Sequence, residues 1–116
     1  MRLSVRRSLT VLLLGAAFAV LSCSDSTAPN NAAVQVKDNT FDPASASVKA
    51  GGTVTWQWVG SAQHNVTWVN PSGTSDSPTQ ATGTYTRNFS GAGTYDYFCS
   101  LHGTATSGMR GSVAVQ

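Results

Sequence analysis

The scarcest side chains in this sequence are the ones best able to hold a metal. Histidine occurs twice, at His64 and His102, and past the N-terminal stretch there is a single methionine, Met109. Cys99 stands three residues before His102, so a thiol, an imidazole and a thioether fall within eleven residues of one another. A thiolate and two imidazoles with one weak thioether suit copper, as a trigonal His₂Cys plane with a long axial Met. Each residue alone has a plainer use. A strand histidine is commonly structural, a buried cysteine acts as a small hydrophobe, and a methionine packs. Those plainer uses do not explain why a domain so poor in all three types gathers its four in two places.

Strands must carry these residues. Val34 and Val36 alternate with Gln35 and Lys37; Val54, Trp56 and Trp58 alternate with Thr53, Thr55 and Gln57; His64, Val66 and Trp68 alternate with Asn65 and Thr67. Tyr85 to Phe89, Tyr95 to Cys99 and Val113 to Val115 continue the pattern, with Gly, Pro, Asn and Ser clusters between the runs. Period-two alternation of Val, Thr and aromatics predicts half-buried antiparallel strands. No window supports a helix of ten residues. About seven short strands over Val34 to Gln116 predict an all-β, Greek-key sandwich of two sheets, with 70–81, rich in Ser, Pro, Gly and Thr, as its longest loop. His64 opens one strand and Cys99 closes another. Counting back from Cys99 puts Tyr97 and Tyr95 inside and Asp96 and Phe98 outside.

The run Gly93-Thr-Tyr-Asp-Tyr-Phe-Cys-Ser-Leu-His102, with Gly108-Met-Arg-Gly-Ser-Val113, resembles the copper loop of the cupredoxins, the plastocyanin, amicyanin and pseudoazurin group. His64-Asn65-Val66 resembles that family's upstream ligand motif, and Phe41-Asp42-Pro43 and Gly51-Gly52-Thr53-Val54-Thr55-Trp56 resemble its early strands. The likeness runs from Val34 to Gln116. It implies one type 1 copper ion on His64, Cys99, His102 and Met109, and single-electron transfer between redox partners outside the cytoplasm. It further implies a hydrogen bond from Asn65 toward Ser100, with His102 as electron port beside Leu101 and Phe98. Two departures stand out. Six residues separate His102 from Met109, where plastocyanins have four, and Leu101 replaces the proline often found between Cys and His. The alternative function is a copper buffer or delivery protein, against which the chain lacks a Met-rich tail. No histidine remains for another copper centre, so no enzyme is predicted.

Ahead of the domain, Arg2, Arg6 and Arg7 precede an apolar run from Leu9 to Leu21, too short to cross a bilayer and placed as a signal peptide over residues 1–22. Val20-Leu21-Ser22-Cys23 resembles a lipobox, which makes Cys23 the acylated first residue; a cut after Ala17-Phe18-Ala19 is the competing site. Residues 23–33 read as a flexible polar tether, reaching roughly 16–19 Å as a random coil. The whole chain carries seven basic and five acidic residues, a net +2, but three of the basic ones lie in the leader. The remainder is slightly acidic, with no phosphate-binding surface, so nucleic acid is excluded as a partner. The expectation is a periplasmic or cell-surface monomer, tethered to the membrane only by its lipid. Its partner is a redox protein such as a cytochrome or copper oxidase, met through a mainly apolar surface.

Overall fold

The computed structural model describes residues 27–71 and 73–116; the expected leader and Cys23 lie outside them. Among the described residues eight strands form in place of about seven: β1 (Asn31–Lys37), β2 (Thr40–Asp42), β3 (Ser45–Val48), β4 (Gly52–Trp58), β5 (Thr67–Trp68), β6 (Thr84–Phe89), β7 (Gly93–Gly103) and β8 (Gly108–Val115). They make two four-stranded sheets, ordered β2-β1-β4-β6 and β3-β8-β7-β5. The inward half of each alternation fills the space between them. Val34, Val36, Val54, Trp56, Trp58, Tyr97, Cys99, Met109, Val113 and Val115 all belong to one buried cluster. Trp56 is its hub, edge-on to both Trp68 and Tyr97 at ring separations of 5.6 and 5.3 Å. Arg87 is also buried, its guanidinium 4.2 Å from the Trp68 ring centre. The alternation that turns Tyr85 and Phe89 inward carries Arg87 inward between them, and the aromatic rings there answer its charge.

Two pairings are parallel, β1 with β4 and β3 with β8, where alternation alone had suggested antiparallel strands throughout. β2 and β3 form one path that changes sheet at Pro43–Ala44 without reversing. The next reversal, at Lys49 to Gly51, therefore brings β4 back alongside β1 in the same direction.

The domain also begins earlier than Val34. Asn31, Ala32 and Ala33 pair with Thr53, Val54 and Thr55, so the last part of the expected tether is strand. Just before it, Ala28 is buried, the Lys49 N–H donates to the Pro29 carbonyl (2.9 Å) and the Thr53 N–H to that of Asn30 (3.0 Å). An exposed edge of β4 takes up whatever backbone lies beside it, and small polar residues fit there as well as valines.

The strand expected to open at His64 shrinks to Thr67–Trp68. His64 makes only an isolated bridge to Gln80. Between them, backbone donors go to loop side chains: Val66 N–H to Ser77 Oγ (2.7 Å) and Trp68 N–H to Asp76 Oδ1 (2.9 Å). The 70–81 loop thus replaces a neighbouring strand on this edge.

Candidate metal centre

β7 ascends toward one end of the sandwich, and there its ladder with β8 breaks. Phe98 pairs with Arg110 and Gly103 with Gly108, so Cys99, Ser100, Leu101 and His102 lie opposite Met109 alone. The crowded side must arch outward, as bulges beside functional sites do. Cys99 keeps the inward side of the β7 alternation and is fully buried, while the arch leaves His102 exposed and Leu101 53% exposed at the tip. Phe98, expected on the outside, is half-buried. Met109 stays on the inner face of β8 at 3% exposure.

The extra residues after His102 do not disturb this. Past the Gly103–Gly108 pair they form their own turn, in which Thr104 N–H donates to the Ser107 carbonyl (2.8 Å) and Ser107 N–H to Thr104 Oγ1 (3.2 Å). Gly108 closes it at φ 80°, where a Cβ would come within 2.7 Å of the Gly103 Cα.

His64 arrives from the loop after β4. It is fully buried, bridged to Gln80 by backbone bonds of 3.0 and 3.1 Å, and its carbonyl accepts the Trp58 indole N–H (3.2 Å). Its Nδ1 lies 3.0 Å from His102 Nδ1 and 3.8 Å from Cys99 Sγ, and His102 Nδ1 lies 3.5 Å from the same sulfur. A point equidistant from these three atoms is about 2.0 Å from each, close to the metal–imidazole and metal–thiolate bond lengths of about 2.0–2.3 Å known for first-row ions. Among the described residues no other group of three His, Cys, Asp or Glu side chains converges in this way. The donor chemistry fits copper, and His64, Cys99 and His102 form a potential site for one such ion.

Two polar side chains hold the ligand segments. Asn65 Oδ1 accepts the Ser100 N–H (2.9 Å) and the Thr67 hydroxyl (3.1 Å), while its Nδ2 donates to Ser100 Oγ (2.8 Å) and Thr79 Oγ1 (3.0 Å). The residue beside one ligand is thereby tied to the residue beside another. The second is Asp38, in the β1–β2 turn, whose Oδ1 accepts from His64 Nε2 at 3.1 Å. The Ala62 N–H, the His64 ring and the Ser61 N–H, in that order, hold its carboxyl well below the usual carboxylate range. Sequence reasoning missed Asp38. Its only local signal is the Asp-Asn turn dipeptide, which marks a turn and says nothing of a histidine 26 residues away.

Because Asn65 is buried with its amide fully engaged, Asn65→Ala leaves the Ser100 N–H without its acceptor, at a cost of about 1–3 kcal/mol. Thermal unfolding of the metal-free protein should show a lowered midpoint. Asn65→Asp, which keeps Oδ1, should lose less. Equal losses would mean that the bond to Ser100 contributes nothing.

Comparison with known proteins agrees with this geometry. Plastocyanin from Scenedesmus fuscus is 38% identical over 86 residues, covering 66% of this chain and 86% of that protein. A purple cupredoxin from Nitrosopumilus maritimus superposes with a TM-score of 0.61 at 26% identity, covering 73% of this chain and 99% of the other. A reduced amicyanin mutant gives a TM-score of 0.60 at 32% identity, covering 74% and 82%. Residues 30–116 match the copper binding proteins of the plastocyanin/azurin type, and the chain belongs to that family.

Proposed function

We propose that this domain is a one-electron carrier with a type 1 copper centre, in which His64, Cys99 and His102 would hold the ion and Met109 would add a weak fourth donor. The carrying observation is the triangle of two Nδ1 atoms and one Sγ whose centre lies at bonding distance from all three. When bound, copper supplies a one-electron couple between Cu(II) and Cu(I). The chain keeps the ligands where both states tolerate them. Cys99 and His64 admit no solvent, and the Asn65 bonds fix the arch against the His64 segment. Met109, opposite the arch in the β8 register and buried, would supply the weak thioether donor.

His102 is the natural exit for the electron, since of the three donors it alone is exposed. Leu101 beside it and Val59 at the end of β4 give this pole an apolar surface, 53% and 46% exposed. The scattered acidic residues build no patch for a basic partner, so docking to a cytochrome or a copper oxidase rests on apolar contact and depends weakly on salt. A buffer or delivery role is less well supported. Exchange of metal favours an open site, and two of these three donors are at 0% exposure.

The N-terminus bears on localisation. β1 runs toward the metal centre, so Asn31 lies roughly 20 Å from that end at about 3.3 Å per residue. A lipid on Cys23 would anchor the opposite pole. With Ala28 already docked, a short link separates Cys23 from the domain, and His102 would face away from the membrane.

Copper loading of the full chain should give intense visible absorption from thiolate-to-copper charge transfer, and Cys99→Ser should abolish it while leaving the sandwich folded. A coloured Cys99→Ser protein would sink the assignment. Imidazole should rescue His102→Ala better than His64→Ala, because only the former leaves an open position; equal rescue contradicts the port.

Met109→Leu should retain copper and colour yet raise the reduction potential, since a weak donor to the oxidised state is gone. An unchanged potential and spectrum would place Met109 outside the coordination sphere.

Cys23→Ala should release the protein from membranes or block its processing. Mass spectrometry of a soluble form beginning at Val20 with no added lipid would refute the anchor.

A further inference from the structure

Asp38 is built into the metal centre from behind. Its two oxygens accept five hydrogen bonds, from Ala62 N–H (3.0 Å), Ser61 N–H (3.1 and 3.2 Å), Ser61 Oγ–H (3.1 Å) and His64 Nε2–H (3.1 Å). The close approach depends on its neighbours. Asn39 takes φ 64°, which turns the chain sharply after β1, and a Cβ on Gly60 would overlap the Asp38 carboxylate. The turn and the 60–62 segment are therefore shaped around this side chain.

The geometry points to Asp38 as a positioning residue that fixes Nδ1 as the metal-binding atom of His64 and weights the centre toward its oxidised state. This rests on the electron-carrier reading above. A neutral imidazole has one N–H, and an ionised carboxylate can only accept. With the proton held on Nε2, the lone pair is left on Nδ1, the atom that faces Cys99 and His102. Partners of this kind orient metal-bound imidazoles and raise their basicity. A carboxylate does so with a full negative charge, which favours a doubly charged ion over a singly charged one. Among the described residues, no carboxylate contacts His102 in this way. The two histidines are thus unequal: one is polarised and locked, the other is left at the surface.

The test uses the full chain loaded with copper, comparing wild type with Asp38→Asn and Asp38→Ala. Removal of such a partner commonly costs about 10–100-fold in metal affinity. The expected result is about a tenfold loss of Cu(II) affinity with Cu(I) affinity little changed, which is a rise in potential of about 59 mV for a one-electron couple. Asp38→Ala should shift at least as far as Asp38→Asn. A fall in the unfolding midpoint of the metal-free variants with no change in the Cu(II)-to-Cu(I) affinity ratio overturns the proposal, because Asp38 would then only hold the turn. Nitrogen-15 NMR of the Cu(I)-loaded wild type decides the matter if neither variant folds. Ligation through Nδ1 with a slowly exchanging Nε2 proton on His64 is expected, and a proton on Nδ1 refutes it. Loss of the charge-transfer band from wild type itself would bring down the electron-carrier reading first. Blue variants at the wild-type potential bring down only Asp38.

Discussion

Three donor atoms gathered about one point, behind a wall of aromatic and aliphatic side chains, constrain everything else in this molecule. Polar atoms taken out of water are costly unless something answers them. His64 Nδ1 and Cys99 Sγ are enclosed completely, and His102 Nδ1 closes the group at 3.0 and 3.5 Å. Such an arrangement does not relax, because each donor is held by a different part of the fold. The inward alternation of β7 fixes Cys99, the Gln80 bridge and Asp38 fix His64, and the arch fixes His102. A cation answers all three at once. The framework thus keeps a coordination shape ready, so little need rearrange when the charge at its centre changes.

The break in the β7–β8 ladder is where sheet geometry becomes coordination geometry. A regular strand would send Cys99 inward, Ser100 outward and Leu101 inward, carrying His102 to the wrong face. With four residues opposite one, the chain can present both the thiol and the imidazole to the same point while Met109 remains across from them. Past Gly103 and Gly108 the hairpin closes on itself through Thr104 and Ser107. Its length is therefore uncoupled from the ligand positions. The two additional residues relative to plastocyanins need not move Met109.

What could be read from the sequence follows from which contacts are local. Alternation gave the inward faces of β1, β4, β7 and β8 because each residue's side is set by its neighbours along the chain. The convergence of His64, Cys99 and His102 was legible because rare residue types carry information when they gather. The parallel pairings were not legible, since they depend on where the path from β2 to β3 changes sheet. Nor was the strand at Asn31–Ala33, where pairing with β4 outweighs a composition that reads as linker. Asp38 was hidden for the same reason. Its bonds to Ser61, Ala62 and His64 exist only once the β1–β2 turn and the end of β4 are packed side by side.

The inequality of the two imidazoles follows from this topology. His64 comes from a segment clamped between the β1–β2 turn and the 70–81 loop, so its ring is bonded at both nitrogens' sides and cannot reach solvent. His102 lies at the outer limb of the arch, where no strand passes over it. A carrier of single electrons needs both conditions. Rigid, shielded ligands keep the rearrangement small, and one exposed ligand brings the centre close to a partner. A site enclosed on every side would satisfy the first condition at the expense of the second, and a flat surface site would do the reverse. Here the break in one strand pair separates them by the width of an imidazole ring, with the rings of His64 and His102 only 4.7 Å apart.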